Sequence, residues 1–175
     1  LLRLLGVFES HGIAAIPLKG PALAARAYGN LSLREFIDLD ILVRRPDLAR
    51  AAALLDAAGY TRAEQLGSAQ EQAYMHAQHH YSFVRDDMLI ELHFELRERF
   101  FGYPLDIDAL WSRAETTALA GRQVLGFCPE DVLVTLCMHG TGHCWERLSW
   151  ICDIAELVRV YPELEWQAIL RRARE

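Results

Sequence analysis

Within Ile37-Asp38-Leu39-Asp40-Ile41 the residues alternate strictly between aliphatic and acidic, and this short pattern restricts the fold more than any other part of the 175-residue chain. Read as a strand, it puts Asp38 and Asp40 on one face and Ile37, Leu39 and Ile41 on the other. Neighbouring acids repel and form strands poorly, so something must compensate their charge. The simplest compensation is a divalent cation that also meets a phosphate-bearing substrate. The plainer alternative is a solvent-facing, acidic strand edge, because D-x-D alone is short and common.

Composition narrows the classes. A hydrophobic fraction of 52% with 24% charged residues is ordinary for a globular protein and excludes disorder. The length suffices for one domain with a core, alone or with a small helical appendage. The formal charge of −6 argues against a general binder of long nucleic acid, which needs a basic face, but leaves room for a nucleotide bound through metal. Cys128, Cys137, Cys144 and Cys152 show no regular disulfide spacing and follow no recognisable signal peptide. They read as reduced thiols of a cytoplasmic protein. No apolar run reaches the ~20 residues of a membrane span. The chain opens mid-pattern at Leu1-Leu2-Arg3-Leu4-Leu5 and stops at Arg171-Arg172-Ala173-Arg174-Glu175, which reads as a piece of a longer protein.

Punctuation by Gly and Pro orders the elements. A helix is expected from Leu1 to His11, a buried strand from Ile13 to Leu18, and a turn at Lys19-Gly20-Pro21 leading into a helix from Ala22 to Tyr28. After the acidic strand, Asp47 to Ala58 reads as a helix and Tyr60 to Glu64 as a strand, while Gly67 to Met75 is irregular or helical. His79 to Val84 and Leu89 to Leu96 read as strands joined by a hairpin turn. The second repeats the opening alternation, with Ile90, Leu92, Phe94 and Leu96 on one face and Glu91, His93 and Glu95 on the other. A short helix (Asp106 to Arg113), a hairpin around Gly121 and three helices beginning at Pro129, Arg147 and Glu165 complete the chain. Mixed α/β structure therefore comes first and helices last, with a boundary near Cys128.

Three features combine. The Lys19-Gly20 turn offers backbone N–H groups to a phosphate, and Asp38, Asp40 and Glu91 offer oxygen ligands to one or two Mg²⁺ ions. Metals so held stabilise attacking and leaving oxygens, and nucleotidyl transfer asks little else of a protein.

The runs Leu18-Lys19-Gly20-Pro21-Ala22-Leu23-Ala24, Ser32-Leu33-Arg34 and Asp38-Leu39-Asp40-Ile41-Leu42-Val43 resemble the start of a nucleotidyltransferase of the DNA polymerase β superfamily. Together with Glu91-Leu92-His93, His139-Gly140-Thr141-Gly142-His143-Cys144-Trp145 and Trp150-Ile151-Cys152-Asp153-Ile154-Ala155-Glu156-Leu157, they are more narrowly similar to that superfamily's bacterial "nucleotidyltransferase family" proteins. The resemblance implies an α/β (α+β) fold: a small mixed sheet flanked by helices over residues 1–128, and a C-terminal helical region over 129–175. It further implies a metal-dependent enzyme in which Asp38, Asp40 and Glu91 bind Mg²⁺ at a two-metal site and an NTP is co-substrate. An NMP group would pass to a small-molecule, peptide or protein acceptor, with release of pyrophosphate. The superfamily's usual Gly-Ser turn is Lys19-Gly20 here, so a lysine would meet the triphosphate as a point charge.

Other residues keep two readings. Arg34 either reaches a phosphate or pairs with Glu35 or Asp38. His93 is a metal neighbour, a general base or a residue that orients Glu91. His139 and His143 share a helix face and either help seat substrate or form structural hydrogen bonds; as zinc ligands they would make the chain a hydrolase. Asp153 reads as half of a buried Asp–Arg pair, with Arg147 on the same bundle. His76, His79 and His80 read as a polar loop beside the site. A relative that keeps the fold and binds a nucleotide without turnover is the remaining alternative.

Overall fold

Apolar runs too short for helices, at Ile16-Pro17, Ile41-Leu42-Val43 and Leu89-Ile90, supply the sheet strands of this chain. The computed structural model describes residues 1–96 and 106–174. It divides into two compact units, Leu1–Pro21 with Glu35–Phe101 and Ala22–Arg34 with Gly102–Glu175.

In the first unit, α1 (Leu2–Ser10) precedes β1 (Ala15–Pro17), after which α2 (Gly20–Leu23) begins. Then come β2 (Asp38–Val43), α3 (Leu48–Ala57), β3 (Thr61–Arg62), α4 (Ser68–Ala77), β4 (His80–Arg85) and β5 (Met88–His93). The five strands form one mixed sheet in the order β1-β2-β5-β4-β3. Only β2 and β5 run parallel; the other pairs are antiparallel. Asp86, with φ of 53°, turns β4 into β5, a left-handed position that Asp tolerates better than most residues. Phe8, Ile16, Ile41, Leu42, Leu55, Phe83, Ile90 and Leu92 are fully buried, so helices and sheet share one core. Each such side chain contributes roughly 1.5–3 kcal/mol of burial.

Because β2 is an interior strand, Leu39 to Val43 are all buried rather than alternating in and out. Ile37 is not part of the strand and is 78% exposed, which corrects its expected place on the apolar face. The strand from Leu89 likewise ends at His93, before Leu96, so Glu95 does not extend the Glu91/His93 face; it lies 3.5 Å from Arg45.

The second unit takes in the π-helical turn Ala24–Tyr28, α5 (Ile107–Ser112), the hairpin β6 (Glu115–Leu119) and β7 (Arg122–Gly126), then α6 (Pro129–Gly142), α7 (Leu148–Val160) and α8 (Trp166–Arg172). Pro129 opens α6, and Glu130 and Asp131 occupy its first turn, where the helix dipole favours acids. Asp131 is fully buried and accepts from Arg113 at 2.8 and 3.0 Å and from Arg172 at 3.0 Å. Beyond α6, Cys144 and Trp145 both take positive φ, folding the Trp145 ring back onto the helix. A Cβ at Gly140 would stand 2.3 Å from that ring, which is why the helix carries Gly there. Among the described residues, no helix is long and apolar enough to cross a membrane.

Candidate active site

The parallel pairing of β2 and β5 decides what the acidic residues do. Its register sets Asp40 beside Glu91, Leu42 beside His93 and Asp38 beside Leu89. Asp40 and Glu91 thus share one sheet face at one level, while Asp38 lies two residues earlier, about 6.6 Å along the strand. Among the described residues, the acidic set whose ligand atoms all fall within 4.8 Å is Asp40, Glu91 and His93. Asp38 is not within it, so the expected convergence of three carboxyl groups is drawn more tightly around two of them and a histidine.

Asp40 is only 3% exposed, which overturns the reading of a solvent-facing acidic edge. Two groups compensate it. His93 Nε2 donates to Asp40 Oδ1 at 3.0 Å, and Lys19 Nζ lies 3.4 Å from Oδ2. Oδ2 is buried and accepts no hydrogen bond, an uncommon state for a carboxylate oxygen. Burial raises the affinity of Asp40 for a proton, but the His93 hydrogen bond and the Lys19 charge outweigh it and hold the carboxyl well below the usual range. Glu91 is also held low, first by its His93 contact at 3.4 Å. Asp38, by contrast, is pushed up by burial and by the negative charge of Asp40.

A divalent cation fits this donor set. Oxygen ligands from two adjacent strands suit Mg²⁺, and Oδ2, which accepts no hydrogen bond, is free to take a coordination position. The Lys19 ammonium already places a positive charge against that oxygen. Lys19 owes this position to Gly20, whose φ of +52° turns the chain sharply after β1. A Cβ at Gly20 would press to 3.4 Å from the Asp38 carbonyl oxygen, so the turn hugs the start of β2.

His93 is the residue whose work is clearest. It is buried, and its Nε2 faces both Asp40 and Glu91, the orienting role weighed from sequence extended to both acids. Burial disfavours its charged form, yet the two carboxylates overcome this and raise its pKa above the ordinary histidine value. His79 and His80 pack on it, with ring centroids 5.5 and 5.1 Å from His93 and 4.5 Å from each other. Burial and the neighbouring rings push His79 down to about 3 and His80 down as well, which keeps both neutral near pH 7. His80 belongs to β4 rather than to a loop, and His76 is exposed on α4. The side-by-side His79-His80 was visible in the sequence; its register opposite His93 was not.

Arg34, Asp153, His139 and His143 lie in the second unit. Arg34 Nε donates to both oxygens of buried Asp153 at 2.9 and 3.1 Å, Nη2 donates at 3.0 Å, and Tyr28 Oη adds a fourth bond at 2.8 Å. Asp153 is therefore the acid of a buried Asp–Arg pair, with Arg34 in the place expected of Arg147. Arg147 instead lies over the Trp150 ring, 5.9 Å from its centroid. With its fork filled by a carboxylate, Arg34 has a structural partner rather than a free face for phosphate. The His139 and His143 rings are 4.7 Å apart and each packs on Trp150, at 5.0 and 5.3 Å. Among the described residues, no group of three metal-ligating side chains within 4.8 Å of one another includes them.

A small mixed sheet thus sets buried Asp40 level with half-buried Glu91 on adjacent parallel strands, with helices following in the chain. Over residues 1–175 the chain matches the family described as uncharacterised nucleotidyltransferase, and it belongs to that family. In fold it is similar to the antibiotic-resistance factor ANT(2″)-Ia in solution, with a TM-score of 0.64 at 11% identity, covering 98% of this chain and 86% of that one. A crystal structure of ANT(2″)-Ia in complex with adenylyl-2″-tobramycin gives the same TM-score and identity over 97% and 90% of the two chains. Lincomycin-bound LnuA, a lincosamide antibiotic adenylyltransferase, has a TM-score of 0.61 at 15% identity over 91% and 94%. At these identities the likeness is one of fold. None of the curated proteins compared matches the chain in sequence.

Proposed function

We propose that this chain moves a nucleoside monophosphate from an NTP to a small-molecule acceptor and releases pyrophosphate. The observation that carries the reading is the pairing of Asp40 with Glu91 across β2 and β5, with Asp40 Oδ2 buried, accepting no hydrogen bond and facing the Lys19 charge. An acceptor hydroxyl oxygen would bond to the α-phosphorus and lose its proton to solvent water, while the bond from the α-phosphorus to the pyrophosphate oxygen breaks and pyrophosphate leaves with that electron pair. Asp38, Asp40 and Glu91 would hold Mg²⁺, which when bound supplies Lewis-acid polarisation and neutralises charge on the phosphates. His93 fixes the Asp40 and Glu91 carboxylates in place. Lys19 and Gly20 form the turn against which the triphosphate would lie, the lysine exchanging Asp40 for phosphate when a cation is bound.

The acceptor class rests on the neighbours and on charge. ANT(2″)-Ia is seen with adenylyl-2″-tobramycin and LnuA with lincomycin, both small molecules. The net charge of −6 supports the same choice over long nucleic acid. ATP is accordingly the first donor to try, with pyrophosphate release and a mass increase of the acceptor as the readouts.

One observation favours a second reading. The Lys19–Asp40 ion pair partly neutralises the site without any metal, as a relative that binds nucleotide without turnover could do. Pyrophosphate release in the presence of Mg²⁺ and an acceptor excludes it.

A further inference from the structure

His79, His80 and His93 form a second candidate metal centre beside the carboxylates. One ring nitrogen from each lies within 4.8 Å of the others. The backbone builds the cluster deliberately: His80 stands opposite His93 in the β4–β5 register, and the His79 carbonyl accepts from the Phe94 and Glu95 amides at 3.0 and 3.2 Å, pinning the approach to β4. All three Nδ1 atoms are buried and without a hydrogen-bond partner. Three clustered imidazoles, each with a buried nitrogen that makes no hydrogen bond, are costly unless a ligand satisfies them.

The other ring nitrogens show which atoms remain to bind. His93 Nε2 is taken by Asp40 and Glu91, and His80 Nε2 lies 3.8 Å from Glu91 Oε1. Both rings therefore turn one nitrogen towards a carboxylate and leave Nδ1 open, the carboxylate–histidine–metal arrangement in which the acid orients the ligand and raises its basicity. Imidazole donors select a borderline first-row ion such as Zn²⁺ over Mg²⁺. Nitrogens sharing one tetrahedral zinc at about 2.1 Å stand about 3.4 Å apart, within reach of small side-chain rotations here.

We propose that His79, His80 and His93 bind a borderline divalent transition metal of the Zn²⁺ class through Nδ1, at a site distinct in chemistry from the Asp38/Asp40/Glu91 site and joined to it through His93. The proposal stands whether or not the carboxylates bind Mg²⁺.

Co²⁺ titrated into chelator-stripped protein tests it through visible d–d absorption, followed by displacement with Zn²⁺. The expected result is a single Co²⁺ equivalent, indifferent to excess Mg²⁺ and to Asp38→Asn, and bound more weakly by about 10- to 100-fold or more in His79→Gln and in His80→Gln. Thermal unfolding of each variant identifies those that fold. X-ray absorption on the wild-type Zn²⁺ form, which needs no variant, should count three imidazoles. Absence of Co²⁺ binding, unchanged affinity in a folded histidine variant, or a zinc shell without three imidazoles overturns the proposal.

Discussion

Lys19 Nζ lies 3.4 Å from Asp40 Oδ2, a buried oxygen that accepts no hydrogen bond. The lysine thus stands where a cation is wanted, and the turn at Gly20 that delivers it packs against the start of β2, the strand that carries Asp38 and Asp40.

Lys19→Met tests what that ammonium does. Without it, Asp40 keeps only the His93 hydrogen bond, and the metal-free protein should lose stability, since a buried charge has lost a partner. If Lys19 passes to the triphosphate in the working enzyme, NTP affinity should also fall, by about tenfold for a partly exposed phosphate contact worth about 1.4 kcal/mol. Calorimetric NTP binding with Mg²⁺ checks this; unchanged affinity assigns Lys19 to Asp40 alone.

Arg34 and Asp153 make a separate prediction, on the folding of the second unit. Arg34→Met leaves the Asp153 carboxylate buried with Tyr28 as its remaining partner, and should cost about 3–5 kcal/mol in urea unfolding. Arg34→Met combined with Asp153→Leu should recover a large part of that loss. NTP affinity in the double variant should match wild type; a large drop would return Arg34 to the nucleotide site.

Local sequence pattern encodes part of this fold and leaves the rest to tertiary pairing. The period-two alternation at Asp38-Leu39-Asp40 and Glu91-Leu92-His93 identified both strands and the face their acids share, because side-chain period is a local property. Burial of Asp40 was not legible, since it depends on β2 lying inside the sheet rather than at its edge. The Arg34–Asp153 pair joins residues 119 positions apart, and the motif suggested the nearby Arg147 instead. α4 buries none of its residues, so it carries no apolar stripe to read and remained ambiguous. The His79-His80 pair looked like a polar loop because its meaning lies in the register opposite His93.

The Asp40–His93 pair gives the metal-free protein a defined pH dependence. His93 has a folded pKa raised above about 6.5, so its contribution to stability is complete below that value and is lost as pH rises through the raised one. Asp40 has a folded pKa depressed below about 3.9, so its contribution is present above that value and lost as pH falls through the depressed one. Stability from the pair should therefore be greatest between about pH 4 and pH 6.5. Chemical denaturation across pH, compared with His93→Gln, should show the alkaline decline flattened in the variant; an identical slope in both would contradict the assignment.

In the proposed function, the Asp40–Glu91 pair on β2 and β5 supports Mg²⁺-dependent nucleotidyl transfer. The most direct measurement is pyrophosphate release from ATP with a panel of hydroxylated small molecules, with and without Mg²⁺, for wild type, Asp40→Asn and Glu91→Gln. Mg²⁺-dependent turnover with at least one acceptor is expected, reduced by about 10³-fold or more in each folded variant, because charge stabilisation of the reacting phosphates is removed. Turnover that persists in folded Asp40→Asn, or nucleotide binding by wild type that neither Mg²⁺ nor the substitutions alter, would contradict it.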